Sequence, residues 1–325
     1  MAQATGTYDT HDVTGNREDL IDKIFDISPT DCPVQMAIGK SKATAKKHEW
    51  QTDSLAAADG DNAQIEGNEY TYTDPSATTR LSNYTQIFRK TIKVSGTQEA
   101  VSSAGRNSEI GYQASKKAKE IKRDLEAAIT SNNASVAGDA STARKMGGLR
   151  AWLDTNTSLG GGAGADGGYN AGTGVVDAAT AGTLRDFTKV LLDTVIKSCF
   201  TNGAELKMLS VGPHNKQVFS TFMSDSNVAQ LRTNVTGNGK TTIVGGVDIY
   251  QSDFGDLMVK ANRFQPELNA YLLDPAYASV AVLRKMKIEK PAKTGDAVNY
   301  VMLHECTLRV DNEAAHGVVA DLNIS

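Results

Sequence analysis

One uninterrupted amphipathic run constrains this chain more than anything else in it. From Gly105 to about Asn132, the residues Ile110, Ala114, Ala118, Ile121, Leu125 and Ile129 recur at steps of three and four. That spacing puts all six on one face of an α-helix. The other face carries Lys116, Lys117, Lys119, Lys122, Arg123 and Glu126, with Glu120 and Asp124 placed for local pairing. No Pro or Gly breaks the run after Gly111. Some 28 residues, at about 1.5 Å each, make a rod of roughly 40 Å, against about 11–12 residues for an ordinary globular helix. Whatever precedes and follows must be hung on this rod. Its basic face is either a solvated surface or a surface turned toward a polyanion.

The chain has 325 residues, 40% of them hydrophobic, enough for one large or two ordinary domains with proper cores. With 22% charged residues and a net charge of −4, nothing demands nucleic acid as the main ligand, and the composition is not that of a disordered chain. There is no apolar run long enough to span a membrane. The start, MAQATGTYDTHDVTG, lacks the basic and apolar parts of a signal peptide.

Ahead of the rod the chain is polar and extended. In residues 1–35, Asp9, Asp12, Glu18, Asp19, Asp22, Asp26 and Asp31 oppose only Arg17 and Lys23. A short amphipathic element (Leu20, Ile21, Ile24, Phe25) ends at Ser28-Pro29. Such an acidic arm cannot order itself and is expected to lie against a neighbouring body, such as another copy. Lys46 to Thr52 reads as a strand anchored by Trp50, and Leu81 to Val94 as its return, with Phe88, Ile92 and Val94 on one face. The middle, from Ala56 to Tyr72, has too few apolar residues for a core. It is either a surface hairpin or a long projecting β-arm whose partner lies elsewhere.

After the rod, Met146 to Leu153 re-enters a core, and Gly160 to Gly168 reads as a flexible loop. Residues 176–285 look like an α/β body. Thr183 is placed to cap a helix whose stripe is Leu184, Phe187, Leu191 and Val195. Leu206 to Val211 reads as a buried strand, followed at Gly212-Pro213 by a helix with Val218, Phe219 and Phe222. Val244 to Tyr250 and Ala270 to Leu273 are further strands. The end is strand-rich: Met286 to Glu289, a hairpin through Lys293-Thr294-Gly295-Asp296, and Val298 to Val310, which carries Glu305 and Arg309 among apolar neighbours.

Catalytic and metal chemistry is not written in the sequence. Asn234 to Thr241 nearly spells a phosphate-binding loop, but its first Gly is Asn234, and Thr242-Ile243-Val244 favours a strand where the motif needs a helix N-terminus. The five histidines (11, 48, 214, 304, 316) have no ligand spacing, and Cys32, Cys199 and Cys306 read as small buried hydrophobes. No catalytic residue, cofactor site or metal site is assigned.

The order of the parts, together with Ile27-Ser28-Pro29-Thr30-Asp31-Cys32-Pro33, Met36-Ala37-Ile38-Gly39, His48-Glu49-Trp50-Gln51-Thr52-Asp53-Ser54-Leu55, Lys293-Thr294-Gly295-Asp296 and Glu305-Cys306-Thr307-Leu308-Arg309-Val310, resembles the major capsid proteins of tailed bacteriophages. The resemblance implies an α+β chain of the Hong Kong 97-type capsid fold. Its parts would be an N-terminal arm (1–42), an extended β-hairpin E-loop (43–95), and a P-domain (96–155) with a spine helix over 105–132. A Gly-rich loop (156–175), an α/β A-domain (176–285) and return strands of the P-domain (286–325) would follow.

The resemblance further implies a structural protein rather than an enzyme. It would self-assemble as pentamers and hexamers into an icosahedral virion head, in the cytoplasm of a bacterial host, around packaged double-stranded DNA. Portal protein, a separate scaffolding protein and a decoration protein are the partners it suggests. A separate scaffold is expected because this chain begins almost directly at the arm. Trp50, Leu55, Tyr70 and Tyr72 would make inter-subunit contacts. Ile110, Ala114, Ile121, Leu125 and Ile129 would form the core face of the spine, and Lys116, Lys117, Lys119, Lys122 and Arg123 would meet DNA in the lumen. Some relatives crosslink through E-loop lysines, but residues 53–79 contain no Lys. Two other readings stay open: the shell of a non-viral nanocompartment of the same fold, and a cytosolic enzyme with an unrecognised site.

Overall fold

The computed structural model describes residues 28–70, 72–222, 233–236, 240–243, 248–293 and 295–324. The arm expected up to residue 27, including its Leu20–Phe25 element, lies outside these.

In chain order the elements begin with α1 (Pro33–Ala37), β1 (Gly39–Lys42), β2 (Lys47–Thr52), β3 (Thr79–Tyr84), β4 (Gln86–Ser95), α2 (Gly96–Ala100) and α3 (Glu109–Ile129). Then come α4 (Leu149–Trp152), β5 (Thr157–Ser158), β6 (Gly168–Asn170), β7 (Val175–Asp177), α5 (Lys189–Thr201), β8 (Met208–Val211) and α6 (Pro213–Thr221). The rest is strand apart from two 3-10 turns, Pro275–Tyr277 and Glu313–Ala315: β9 (Thr233–Thr236), β10 (Lys240–Ile243), β11 (Ile249–Ser252), β12 (Gly255–Ala261), β13 (Ala270–Leu273), β14 (Ala278–Glu289), β15 (Ala297–Val310) and β16 (Gly317–Val319).

Two sheets carry the structure. The first runs β1-β14-β15-β4, with β1 parallel to β14 and the other pairs antiparallel. The long helix α3 packs on β4 and β15. Its residues Ile121, Leu125 and Ile129 meet Phe88, Val280, Met302 and Leu308 in one core. The second sheet runs β11-β12-β8-β13-β16-β5, with α5 on β16 and α6 on β12. Phe187, Leu192, Val195, Phe219, Leu257 and Leu272 form the core there. Alternation sets the burial: β4 buries Phe88, Ile92 and Val94 and exposes the residues between or half-buries them.

The rod is shorter than its periodicity suggests. It spans 21 residues, about 30 Å. Ser108 caps it by accepting from the Gly111 N–H. Upstream, Gly105 sits at φ 76° and Ser103 bridges Arg106, so the backbone is already turning. Only the C-terminal part of the stripe is fully buried; Ile110, Ala114 and Ala118 are half-buried.

Three expectations fail for the same reason, that long-range pairing overrides a local signal. Thr183 does not cap a helix. Residues around Arg185 pair with the chain end, Arg185 N–H donating to Asp321 O and Asn323 N–H to Arg185 O, so α5 starts later, capped by Thr188, and Leu184 is exposed. The return from the β-arm is two strands, not one: it breaks at Thr85, whose N–H donates to Lys46 O while its hydroxyl donates to Glu305. The Gly-rich stretch is packed rather than free. A Cβ on Gly160 would collide with the Thr183 carbonyl, and one on Gly164 would crowd the backbone of Gly182. The near-match to a phosphate loop is strand on both sides, β9 antiparallel to β10.

Candidate assembly surface

A chain can project an arm only from a rigid base. Here β2 and β3 pair in antiparallel register, Trp50 opposite Leu81. Trp50 then continues a ladder of rings: His48 at 5.7 Å, Trp152 at 5.6 Å, and Tyr169 at 5.9 Å from Trp152. Ser82 Oγ donates to Gly174 O (3.0 Å) and lies 3.1 Å from the Tyr169 hydroxyl. The buried Asn83 amide donates to Leu308 O (2.8 Å), and its oxygen accepts from Gly147 N–H (2.9 Å). Rings and buried hydrogen bonds thus fasten the base of the arm to α4, β6 and β15. Trp50 was expected among the inter-subunit contacts. It is 7% exposed and belongs to this base instead, because the Trp152 ring covers it.

Beyond the base, residues 53–78 form neither helix nor strand where described, and every described side chain there is exposed. Leu55 is 98% exposed and Tyr72 90%; Ile65 and Tyr70 are nearly as bare. Apart from Thr78 at its end, whose hydroxyl donates to Gln51 (3.3 Å), the hydrogen bonds of this strap among the described residues are local, such as Asp61 N–H to Asp59 and Asn68 N–H to Ile65 O. Its charge is of one sign: Asp53, Asp59, Asp61, Glu66, Glu69 and Asp74, with no Lys or Arg.

The spine helix divides its charged residues. Lys116, Lys119 and Lys122 are exposed, and none of the three makes an ion pair among the described residues. Lys117 pairs with Glu120 (2.8 Å). Arg123 stacks over Phe264, 5.0 Å from the ring centre. Glu126, which the periodicity places on the basic face, is fully buried. Its oxygens accept from Val34 N–H (2.9 Å), Gln35 N–H (2.8 Å) and the Asn262 amide (2.8 Å). It therefore pins the start of α1 and the loop after β12 to the spine. Burial raises its pKa from the ordinary 4.5, opposed by those three hydrogen bonds.

A second buried carboxylate, Glu305, joins the hairpin to the core: Arg144 at 2.7 Å, Arg284 at 2.6 Å and the Thr85 hydroxyl at 2.8 Å. The thiols are all buried, and burial pushes Cys32 up to about 11 and Cys199 and Cys306 up to about 12. Among the described residues no group of three His, Cys, Asp or Glu converges as a metal site, and no described helix is long and apolar enough to cross a membrane.

Comparison with known proteins points one way. A profile of the family described as SU10 major capsid protein matches residues 4–323. The chain is similar to a major capsid protein of Escherichia phage Phieco32, 29% identical over 338 residues covering 95% of each chain. Among solved structures it resembles the capsid of a native GTA particle, computed with C5 symmetry, with a TM-score of 0.60 at 14% identity, covering 97% of this chain and 98% of that one. It also resembles the holo-SrpI encapsulin complex from Synechococcus elongatus PCC 7942, with a TM-score of 0.57 at 11% identity, covering 95% and 93%. These two likenesses establish the capsid-type fold; at such identities they carry nothing finer.

Proposed function

The chain belongs to the SU10 major capsid protein family, and from that premise we propose that it closes, as pentamers and hexamers, into the icosahedral head of a tailed phage around packaged double-stranded DNA. It is a major capsid protein, a structural component of a phage virion. The observation that carries the proposal is the strap. Residues 53–78 are exposed throughout where described, carry bare Leu55, Ile65, Tyr70 and Tyr72, and stand on a base locked into the core. A segment this poor in apolar residues cannot offset an ordering cost of roughly 1–2 kcal/mol per residue by itself. Copies arranged head to tail in a ring would each receive the strap of the next.

The GTA capsid, solved with fivefold symmetry, supports cyclic assembly. The encapsulin likeness shares only the fold, and the family match over nearly the whole chain favours the phage head over a cargo compartment. The lumenal role falls to Lys116, Lys119 and Lys122, because Lys117 and Arg123 are already engaged. Contact with packaged phosphate would be non-specific and screened by salt. Assembly in the bacterial cytoplasm, with portal, scaffolding and decoration proteins as partners, completes this reading. Negative-stain microscopy of the purified protein tests it. Closed shells are expected; a protein that stays monomeric under all assembly conditions overturns it.

A further inference from the structure

Asp59 and Gly60 stand side by side in the strap, both exposed. An aspartate before a glycine is open to attack on its carboxyl carbon by the glycine amide nitrogen, because no Cβ on the following residue blocks the approach. Of the four strap aspartates, Asp53, Asp59, Asp61 and Asp74, only Asp59 precedes Gly, and Asp74 precedes Pro75, which has no N–H. Asp59 Oδ1 accepts from Asp61 N–H (2.9 Å), which folds the carboxyl forward alongside the Gly60 peptide unit. Gly60 N–H has no acceptor among the described residues, and nothing stands within 4 Å of where a Cβ would be. The other described pairs of this kind are held. The Asp166 carboxylate accepts from Arg150 (3.2 Å) and the Thr157 hydroxyl (2.7 Å). A Cβ on Gly167 would collide with the Asp177 and Ala151 carbonyls, so that backbone is clamped too. The Asn202 amide donates to Asn156 (2.7 Å), and Gly203 N–H donates to Phe200 O (3.0 Å). Asn238 and Gly239 lie outside the described residues.

We infer that Asp59 is a site of spontaneous isoaspartate formation, and that the fold spares Asp166 and Asn202. In the first step a bond forms between Gly60 N and Asp59 Cγ. The Cγ–OH bond breaks, and the hydroxyl leaves with the amide proton as water. Water then opens the five-membered imide at either carbonyl. One opening restores Asp59; the other carries the main chain through Cβ and leaves the carboxylate on Cα. Composition and charge are unchanged, but the strap backbone is longer by one carbon. A segment without fixed structure reaches the geometry of attack freely, whereas a clamped pair reaches it only by local unfolding. The chemistry is independent of the shell reading, and it touches neither core, since no strap residue belongs to one.

The test is prolonged incubation of the folded full chain below its melting temperature. It is run at mildly acidic pH, which favours loss of hydroxyl from a carboxyl, and at neutral pH, which favours loss of ammonia from an amide. Electron-transfer fragmentation of the digested chain then locates isoaspartate. It is expected to accumulate at Asp59 ahead of Asp53, Asp61, Asp166 and Asn202. Gly60→Ala, which the open space admits, is expected to slow it severalfold, and Asp59→Glu to abolish it, because the longer side chain would have to close a six-membered ring. In urea, Asp166 and Asn202 should react as well. The aged chain should keep the melting temperature of the fresh one. Isoaspartate at Asp166 or Asn202 of the folded chain as fast as at Asp59, none at Asp59, or a rate indifferent to Gly60→Ala overturns the inference. Silence of Asp166 and Asn202 in urea would show that the fold is not what spares them, and a melting temperature that falls as Asp59 converts would tie the site to a core; either result overturns it too.

Discussion

Replacing Glu126 by Gln probes the junction that holds α1, the spine and the second sheet together. One carboxylate oxygen accepts from Val34 N–H and the Asn262 amide, the other from Gln35 N–H. The amide keeps the shape but offers a single acceptor atom. With that oxygen on the Val34 side, its NH2 group faces the Gln35 N–H, donor against donor. A buried donor left unsatisfied costs about 1–3 kcal/mol, and the two remaining bonds lose their charge assistance. Against this, the neutral amide escapes the desolvation that raises the pKa of Glu126, so the net loss at neutral pH is expected to be about 1–2 kcal/mol.

The pH dependence gives the sharper signature. Because burial lifts this pKa above 4.5, the folded chain holds the proton more tightly than the unfolded chain does. The site's contribution to stability is greatest in acid, falls as pH rises from the ordinary value through the folded one, and is flat above it. Gln has no such proton, so the advantage of the wild type over the mutant should be largest in acid and shrink toward neutrality. Urea unfolding of the unassembled subunit at a series of pH values measures it. A difference that does not vary with pH, or a mutant more stable than wild type throughout, would refute the account of Glu126 as a buried, hydrogen-bonded carboxylate.

Three other outcomes follow from the same structure. Leu125→Asp puts an unpaired charge on the buried face of the spine. At about 3–5 kcal/mol it should yield insoluble or unassembled protein; normal particles would mean the face is assigned wrongly. His316 is fully buried, accepts from Asp274 N–H, contacts Tyr277 O, and is pushed by burial down to about 4. The unfolded chain takes up that proton first, so stability should fall as pH drops from 6.5 toward 4, by on the order of 3 kcal/mol; His316→Gln should remove that slope in acid unfolding curves, and an unchanged slope would exclude His316 as its source. Deleting Asp59–Gln64 should leave subunit unfolding unchanged, since surface loops tolerate length changes cheaply, yet lower particle yield by microscopy. A subunit that unfolds would place the strap in the core.

What the sequence makes legible is what repeats locally. The spine shows because its stripe persists over several turns, and β4 shows because Phe88, Ile92 and Val94 alternate with polar residues. The strap shows as a polar interval between two strands. What stays hidden depends on partners far along the chain. Glu126 follows Leu125 directly and looks like one more charge on a charged face; its burial comes from Val34 and Gln35, about ninety residues earlier. Trp50 reads as an arm residue until Trp152 covers it. Thr183 reads as a cap that pairing with residues 321–323 overrides. Glycines that let two backbones touch, as Gly164 and Gly182 do, are written no differently from glycines in a free loop.

The division between core and strap has a consequence for assembly. The described part of the subunit has two apolar cores of its own, and neither draws on the strap. The strap spreads Leu55, Ile65, Tyr70 and Tyr72 over a long, otherwise polar segment, too few to hold all of it down at roughly 1–2 kcal/mol per ordered residue. If the strap meets a neighbouring copy, a seat at one place with the rest loosely held would make each inter-subunit link modest, and charge contacts of its carboxylates would weaken further in salt. Modest links suit a closed shell. A misplaced copy held by one or two of them leaves again, whereas a correctly placed copy engages on several sides at once and stays by multiplicity. On the shell reading, a strap with a stronger apolar anchor would bind its first neighbour irreversibly and trap errors, so the sparse, acidic composition of residues 53–78 would favour closure of the particle.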